Sequence, residues 1–327
     1  MLAAGVAAVG ASALFTASSN AAGSVKVGIV TSATNQNAFQ EMADGAVEAA
    51  SVMHDQIVQA APPQQTDTTQ EIAEFQSMQP KAPDGIAVET VAPPALTAPL
   101  SQAVAKKIPI VAVDSAPVSG SNVTAFVGND NIAIGYSMAK VLIQKIPANK
   151  KGEVIFGNPV PNLPLLQDRI KGMQEALRKY RPGLTFSQVY AINPSPSGAL
   201  ASWSQLASEF PNAVAFMGPG DQIATVFPTI SRETHKHYLV GGCDVDPQAL
   251  EGVKEGYVDV IGDPEHFMKG YLAIWALTQH AQGKPLFKGW LNSGNGVITS
   301  ANINAILHRE TSNAARYAWY RSRIKSI

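Results

Sequence analysis

The sequence predicts an α/β protein built on two open, parallel sheets, and three observations carry that prediction. Short β-rich runs alternate with stretches of helical periodicity, the alternation restarts after "VTAFVGNDN", and polar residues gather where strands run out. Strand, helix, strand repeated this often means parallel βαβ units with right-handed crossovers, and so many strands call for two open sheets.

"VKVGIV" (25–30) reads as a buried strand. The helix after it places Phe39, Met42, Ala46, Ala49 and Met53 on one face. "QIVQAA", "GIAVET" and "IPIVAV" read as strands, with helices around Thr69 to Ser77 and Ala95 to Lys106 between them. Past "VTAFVGNDN" comes a helix facing Ile134, Met138, Val141 and Leu142 inward, then the strand "GEVIFGN", a helix with Ile170, Met173, Leu177 and Tyr180, and the strand "FSQVYAI". "AVAFMG", "HYLVGG" and "VDVIGD" follow, each behind a helical stretch. Leu200, Trp203, Leu206 and Phe210 form a helical stripe, which points to core packing. Trp290 falls in "KGWLNSGNG", read as a loop, where stacking on a ligand and simple surface packing fit equally.

With 327 residues, 46% of them hydrophobic, the chain can bury a substantial core. Its 24 Lys+Arg and 25 Asp+Glu include no basic run, so it lacks the electrostatic footprint of a nucleic-acid binder. Residues 1–22, apolar and then small and polar, read as a secretory signal peptide that implies export to the periplasm; no Lys or Arg precedes Lys26, so either a charged n-region was lost through a misplaced start or the segment is a plain Ala-rich helix. Cys243 is the sole cysteine, so no internal disulfide forms, and its distance from the apolar stretch speaks against a lipid anchor at the signal boundary.

In open parallel sheets, ligands bind beyond the carboxyl ends of the strands. The strands run out at Ser32, Asp114, Asn129 with Asp130, Asn158, Asn193, Asp221, Asp244 and Asp263. One such Asp is most simply a helix N-cap, and Asp130 and Asp221, each directly before a helical run, fit that role. Several in register are better explained by a shared polar cleft. Carboxylates accept two hydroxyls at once, Arg donates in a fixed fork, and an aromatic face such as Phe39 covers sugar C–H groups, so a polyhydroxylated ligand suits the set.

The order of "VGIVTS", "DGIAV", "IPIVAVDS", "FVGNDNIAIGYSMAKVL", "RIKGMQEAL", "FPNAVAFM", "YLVGGCDVDPQALEGVKEGYVDVIGDP" and "KGYLAIWAL" resembles the type I periplasmic binding proteins of the ribose, galactose and simple-sugar group. The resemblance covers Val25 to about Asn304. It implies two doubly wound, parallel-sheet lobes on a three-segment hinge, residues 23–126 plus 263–289 in the first and 127–262 plus 290–327 in the second. It also implies a monomer without a cofactor, delivering a monosaccharide or polyol to an ABC permease and its ATPase subunit. Carried over residue by residue, Ser32, Gln36 and Phe39 match the first loop and helix start that contact sugar. Asp114 matches the hydroxyl-binding Asp, Arg169 the Arg of "R-x-x-G", and Asp244 the Asp of "G-F-D". The chain departs from the pattern at Ser115, where an Arg is frequent, at Gly220 for Asn, at Gly262 for Gln, and at Cys243 for an aromatic ring. Those departures imply a larger, less polar or differently substituted ligand than ribose. The expected ligand set is Ser32, Gln36, Phe39, Asp114, Ser115, Arg169, Asn193, Asp221, Asp244 and Asp263. On this reading Asp114→Asn weakens binding and leaves the empty protein as stable as before.

Rival readings are weaker. "GPGDQI" lacks the third glycine of a dinucleotide loop, and there is no G-x-x-x-x-G-K-[ST], G-x-S-x-G or H-E-x-x-H. Cys243 with His235 and His237 invites a Cys/His nucleophile, yet all three flank one strand, and a small buried residue beside surface histidines is the stronger reading. A repressor needs a basic N-terminal helix-turn-helix, and an uncharged apolar segment stands there instead. A sensor that presents its ligand to a chemoreceptor or kinase, or a carrier of a non-sugar small molecule, stays open beside the transporter reading.

Overall fold

The structure, a computed structural model, describes residues 24–65 and 67–326. The expected signal peptide lies outside the described residues. The first half-circuit of the chain runs β1 (Lys26–Val30), α1 (Asn37–Met53), β2 (Gln56–Ala60), α2 (Thr68–Met78) and β3 (Gly85–Glu89). It continues with α3 (Pro93–Ala105), β4 (Ile110–Val113) and β5 (Ala125–Gly128). The second comprises α4 (Asn131–Lys145), β6 (Gly152–Asn158), α5 (Pro164–Tyr180), β7 (Leu184–Ala191) and α6 (Pro196–Glu209). After these come β8 (Ala215–Met217), α7 (Gln222–Thr234), β9 (Val240–Cys243), α8 (Pro247–Glu255) and β10 (Val260–Asp263). The chain ends with α9 (His266–Ala281), β11 (Gly289–Asn292), β12 (Gly296–Ile298), α10 (Ile303–Arg309) and α11 (Asn313–Ile324).

Two six-stranded sheets result, ordered β11-β5-β4-β3-β1-β2 and β12-β10-β9-β8-β6-β7. Every pairing is parallel except β10 with β12, so the predicted all-parallel pattern gives way at one edge. Local chemistry stops the helices where expected. Asp130 caps α4 by accepting from Ala133 N–H at 2.9 Å. Asp246 caps α8, which closes on Gly256 in the left-handed region at φ +83°.

The lobes are joined where the chain crosses at Gly128–Asn131, Asp263–His266 and Asn292–Gly296. Asn129 ties the crossings together, its amide donating to Pro264 O (2.8 Å), Ser293 Oγ (3.1 Å) and Gly294 O. The expected division is corrected at several points: Val127 and Gly128, expected in the second lobe, close β5 of the first sheet, and Asp263, expected in the first, closes β10 of the second. Residues 289–292, put at and beyond the boundary, form β11 against β5 in the first sheet, so part of the "KGWLNSGNG" loop is strand. The tail also divides: Ile303 and Ile306 of α10 pack in the second lobe, whereas Tyr320 of α11 stacks on Phe267 in the first, ring centroids 6.0 Å apart. The apolar faces of the two short helices point to different cores, so the tail straps one lobe to the other.

Candidate functional site

β4 and β9 end alike. The residue after each, Asp114 or Asp244, donates a last backbone bond to the neighbouring strand (to Val127 O and Gly262 O, both 2.9 Å). Each then turns the chain at φ +63° or +69°. Asp tolerates this left-handed conformation better than most residues with a Cβ. No helix starts at Asp114, the next being α4, so the helix-cap explanation for it fails.

Both carboxylates belong to one relay across the cleft. Lys269, fully buried on α9, bonds Asp114 Oδ1 and lies 3.2 Å from His266 Nδ1. His266 Nε2 lies 2.9 Å from Asp244 Oδ1. Arg169 Nη1 donates to Asp244 (3.0 and 3.1 Å) and Pro219 O (2.7 Å), and its Nε to Asn131 Oδ1 (3.0 Å). The network assigns a neutral imidazole that donates from Nε2 and accepts at Nδ1. Burial and the adjacent Lys269 charge push the His266 pKa down, outweighing Asp244. Burial alone would raise both aspartates. For Asp114 the Lys269 charge reverses this, and for Asp244 the Arg169 guanidinium does so, leaving each carboxyl below its ordinary range. Lys269 overturns half of the expectation for Asp114→Asn: neutralising the carboxylate strands a buried ammonium, so the empty protein must lose stability too.

Gln36, Phe39, Asp114, Arg169, Asp221, Asp244 and His266 line one central cavity of about 50 Å³, with Leu163, Leu165 and Leu166 as its apolar wall. That volume admits about three or four waters. A latch, Asn37 Nδ2 to Val245 O at 2.8 Å, joins the lobes beside it. Asp221 accepts no capping bond, contrary to the N-cap reading. Burial, then the charges of Asp244 and Asp246, push its carboxyl up to about 7. Two buried atoms on this cavity, Arg169 Nη2 and Gln222 Oε1, have no partner among the described residues.

The remaining expected residues lie elsewhere. Ser115 lines an adjoining cavity, and exposed Asn193 another. Ser32 lines none of these three: its N–H donates to Glu89 (2.8 Å) and its Oγ accepts from Val91 N–H (2.9 Å), binding the ends of β1 and β3 together. Asp263 also turns away from them, accepting from Arg309 (2.6 Å) and from Glu265 N–H (2.8 Å) at the hinge. Sequence reasoning missed His266 and Lys269. The signal available was "DPEHFMKG", a polar cluster directly after a strand. Cys243 is fully buried and burial pushes its thiol up, which makes it inert, while His235 caps the far end of α7. Trp203 lies in the second-lobe core. Among the described residues no three His, Cys, Asp or Glu side chains converge to hold a metal ion, and no helix is long and apolar enough to cross a membrane.

The sequence pattern of the periplasmic binding protein domain matches residues 27–285. A xylose/arabinose-binding protein of Sulfolobus acidocaldarius is 21% identical over 269 residues, 74% of this chain; the chain spans 63% of that relative's length. Among solved structures, an ABC transporter solute-binding protein from Agrobacterium vitis with bound α-D-tagatopyranose superposes with a TM-score of 0.78 at 19% identity, covering 85% of this chain and 96% of that one. One from Burkholderia graminis with D-arabinose gives 0.77 at 22%, covering 86% and 97%. The extent of the sequence match and the two hinged sheets agree, and the chain belongs to the periplasmic binding protein domain family.

Proposed function

We propose that the chain is the periplasmic solute-binding component of an ABC importer, holding a monosaccharide or related polyol between two closing lobes and handing it to a permease and its ATPase. The observation that carries this is the conjunction of Arg169 Nη2, a donor, and Gln222 Oε1, an acceptor, both buried and without a partner among the described residues, on residues that line one cavity together with carboxylates, Phe39 and leucines. A hydroxyl both donates and accepts, so neighbouring hydroxyls on a ring satisfy both atoms while the ring's C–H face lies on Phe39. The sugars bound by the structural neighbours support the same ligand class. The protein is read as a monomeric binder and not an enzyme. Ser115, Asn193 and the cavity-lining residues are its proposed ligand set; Ser32 and Asp263 support the strand ends and the hinge.

Ring-sized ligands occupy pockets of about 300 Å³ or more, so the Asn37–Val245 latch has to open before one enters. A thermal-shift screen against sugars, polyols, amino acids and nucleotides tests the reading. A ligand at a hundredfold excess over Kd stabilises the native state by about 2.7 kcal/mol. A neutral sugar or polyol is expected to raise the melting temperature by several degrees; a response to amino acids or nucleotides alone rejects it.

A further inference from the structure

Beside the central cavity lies a larger one of about 820 Å³, walled by Pro93, Pro117, Val118, Phe126, Ile132 and Trp290 among others. Trp290 is 51% exposed, yet its indole N–H donates to Gly128 O at 2.9 Å, so the ring is held in place at the cavity edge. The two cavities share Val91, Asp114, Val160, Leu163 and Leu165, so a ligand gripped at Asp114 can enter both. Two of its lining residues, Ser115 and Asn129, also hold a buried side-chain oxygen without a partner among the described residues, Ser115 Oγ and Asn129 Oδ1. Buried polar atoms are seldom left unpaired unless something else supplies the partner. A free monosaccharide uses only the polar side of this arrangement and leaves the apolar wall in water.

We propose that the ligand is a glycoside, its sugar ring on the Asp114–Arg169 side and an apolar, preferably aromatic, aglycone in the cavity faced by Trp290. This rests on the sugar reading above and narrows it. The glycosidic oxygen then lies near the shared wall, with the aglycone against the apolar residues beyond it. A single polar ring with one apolar arm matches the division between the two cavities, whereas a sugar with hydroxyls on every side does not.

Isothermal titration with D-xylose, D-glucose and D-galactose, each as free sugar, methyl glycoside and phenyl glycoside in both anomers, tests this. For at least one sugar the phenyl glycoside is expected to bind about tenfold or more tighter than the methyl glycoside, from the apolar area it buries. Val118→Trp, which fills the side cavity from a loop, and Trp290→Ala, which removes its edge, are each expected to erase that advantage while leaving the methyl glycoside's affinity unchanged. Phenyl glycosides that bind no tighter than methyl ones, or an advantage that survives both substitutions, overturn the proposal and leave the sugar reading standing. If no free sugar or glycoside binds at all, both fall.

Discussion

At the end of β4 a buried lysine neutralises Asp114; at the matching point of the second lobe an arginine neutralises Asp244 and a neutral histidine donates a hydrogen bond to it. The surrounding architecture is the same. In the first lobe α1 and α9 touch through Gly45 and Gly270; in the second α5 and α4 touch through Gly172 and Gly135. One residue before the crossover helix's glycine, the second lobe has Ile134 and the first has Lys269, both fully buried. The first lobe thus holds an ammonium where its counterpart holds a core methyl group. The Asp114–Lys269 pair is contained within one lobe and survives opening. Asp244 receives one of its bonds from His266 at the start of the other lobe's helix, so it registers whether the lobes are together.

Removing the lysine tests that contrast most severely. Lys269→Met leaves Asp114 buried without a countercharge and is expected to cost about 3–5 kcal/mol in urea unfolding. Asp114→Asn combined with it should recover much of the loss. Arg169→Met should cost less, because Asp244 keeps His266; equal losses would show that the lobes are not differently built in this respect.

The glycine contacts sharpen the symmetry. A Cβ on Gly45 would lie 1.9 Å from Phe267 O, and one on Gly135 1.8 Å from Arg169 O. Each Gly→Ala change should therefore destabilise by about 2–3 kcal/mol through overpacking. Only Gly135→Ala moves Arg169 directly, so it should weaken ligand binding more than Gly45→Ala does, as titration of both variants would reveal.

Each lobe also holds a carboxyl near neutrality. Burial pushes fully buried Glu71 up to about 7 from 4.5, and Asp221 reaches about 7 in the cleft. A raised folded pKa means the native state keeps a proton that the unfolded chain loses, so stability falls as pH rises from 4.5 to 7. Glu71→Gln should accordingly stabilise by about 2–3 kcal/mol at pH 8, with the gain gone below pH 4.5. An equal gain at both pH values would refute that origin. Asp221 should instead appear in binding: a ligand hydroxyl donates more strongly to the charged form, so affinity should rise roughly fivefold from pH 6 to 8. Asp221→Asn should flatten that slope and Glu71→Gln should not.

The βα alternation was legible because strands such as β3 and β4 are continuous apolar runs and the helices keep their period. β11 and β12 were not, because strands of four and three residues around glycines carry no period of their own. In the cleft, a strand-end position tells which end of the sheet a residue occupies but not where its side chain goes. Asp114 and Asp244 face the central cavity, while Ser32 and Asp263 turn to backbone and hinge partners. Lys269 was missed because a lysine on a helix reads as a solvated residue; only the fold reveals that its partner is an aspartate 155 positions earlier.

That separation also bears on how the protein is made. On the ribosome β1 emerges before the whole second lobe, yet its own lobe is completed only by later segments: α1 waits for α9, β5 for β11, and Phe267 for Tyr320. The second lobe, by contrast, draws all but β12 and α10 from the unbroken stretch 131–263 and can gather most of its core while the tail is still being translated. Its nascent partner spends that interval as an incomplete sheet with an open β5 edge, the interval in which a chaperone would have most to protect.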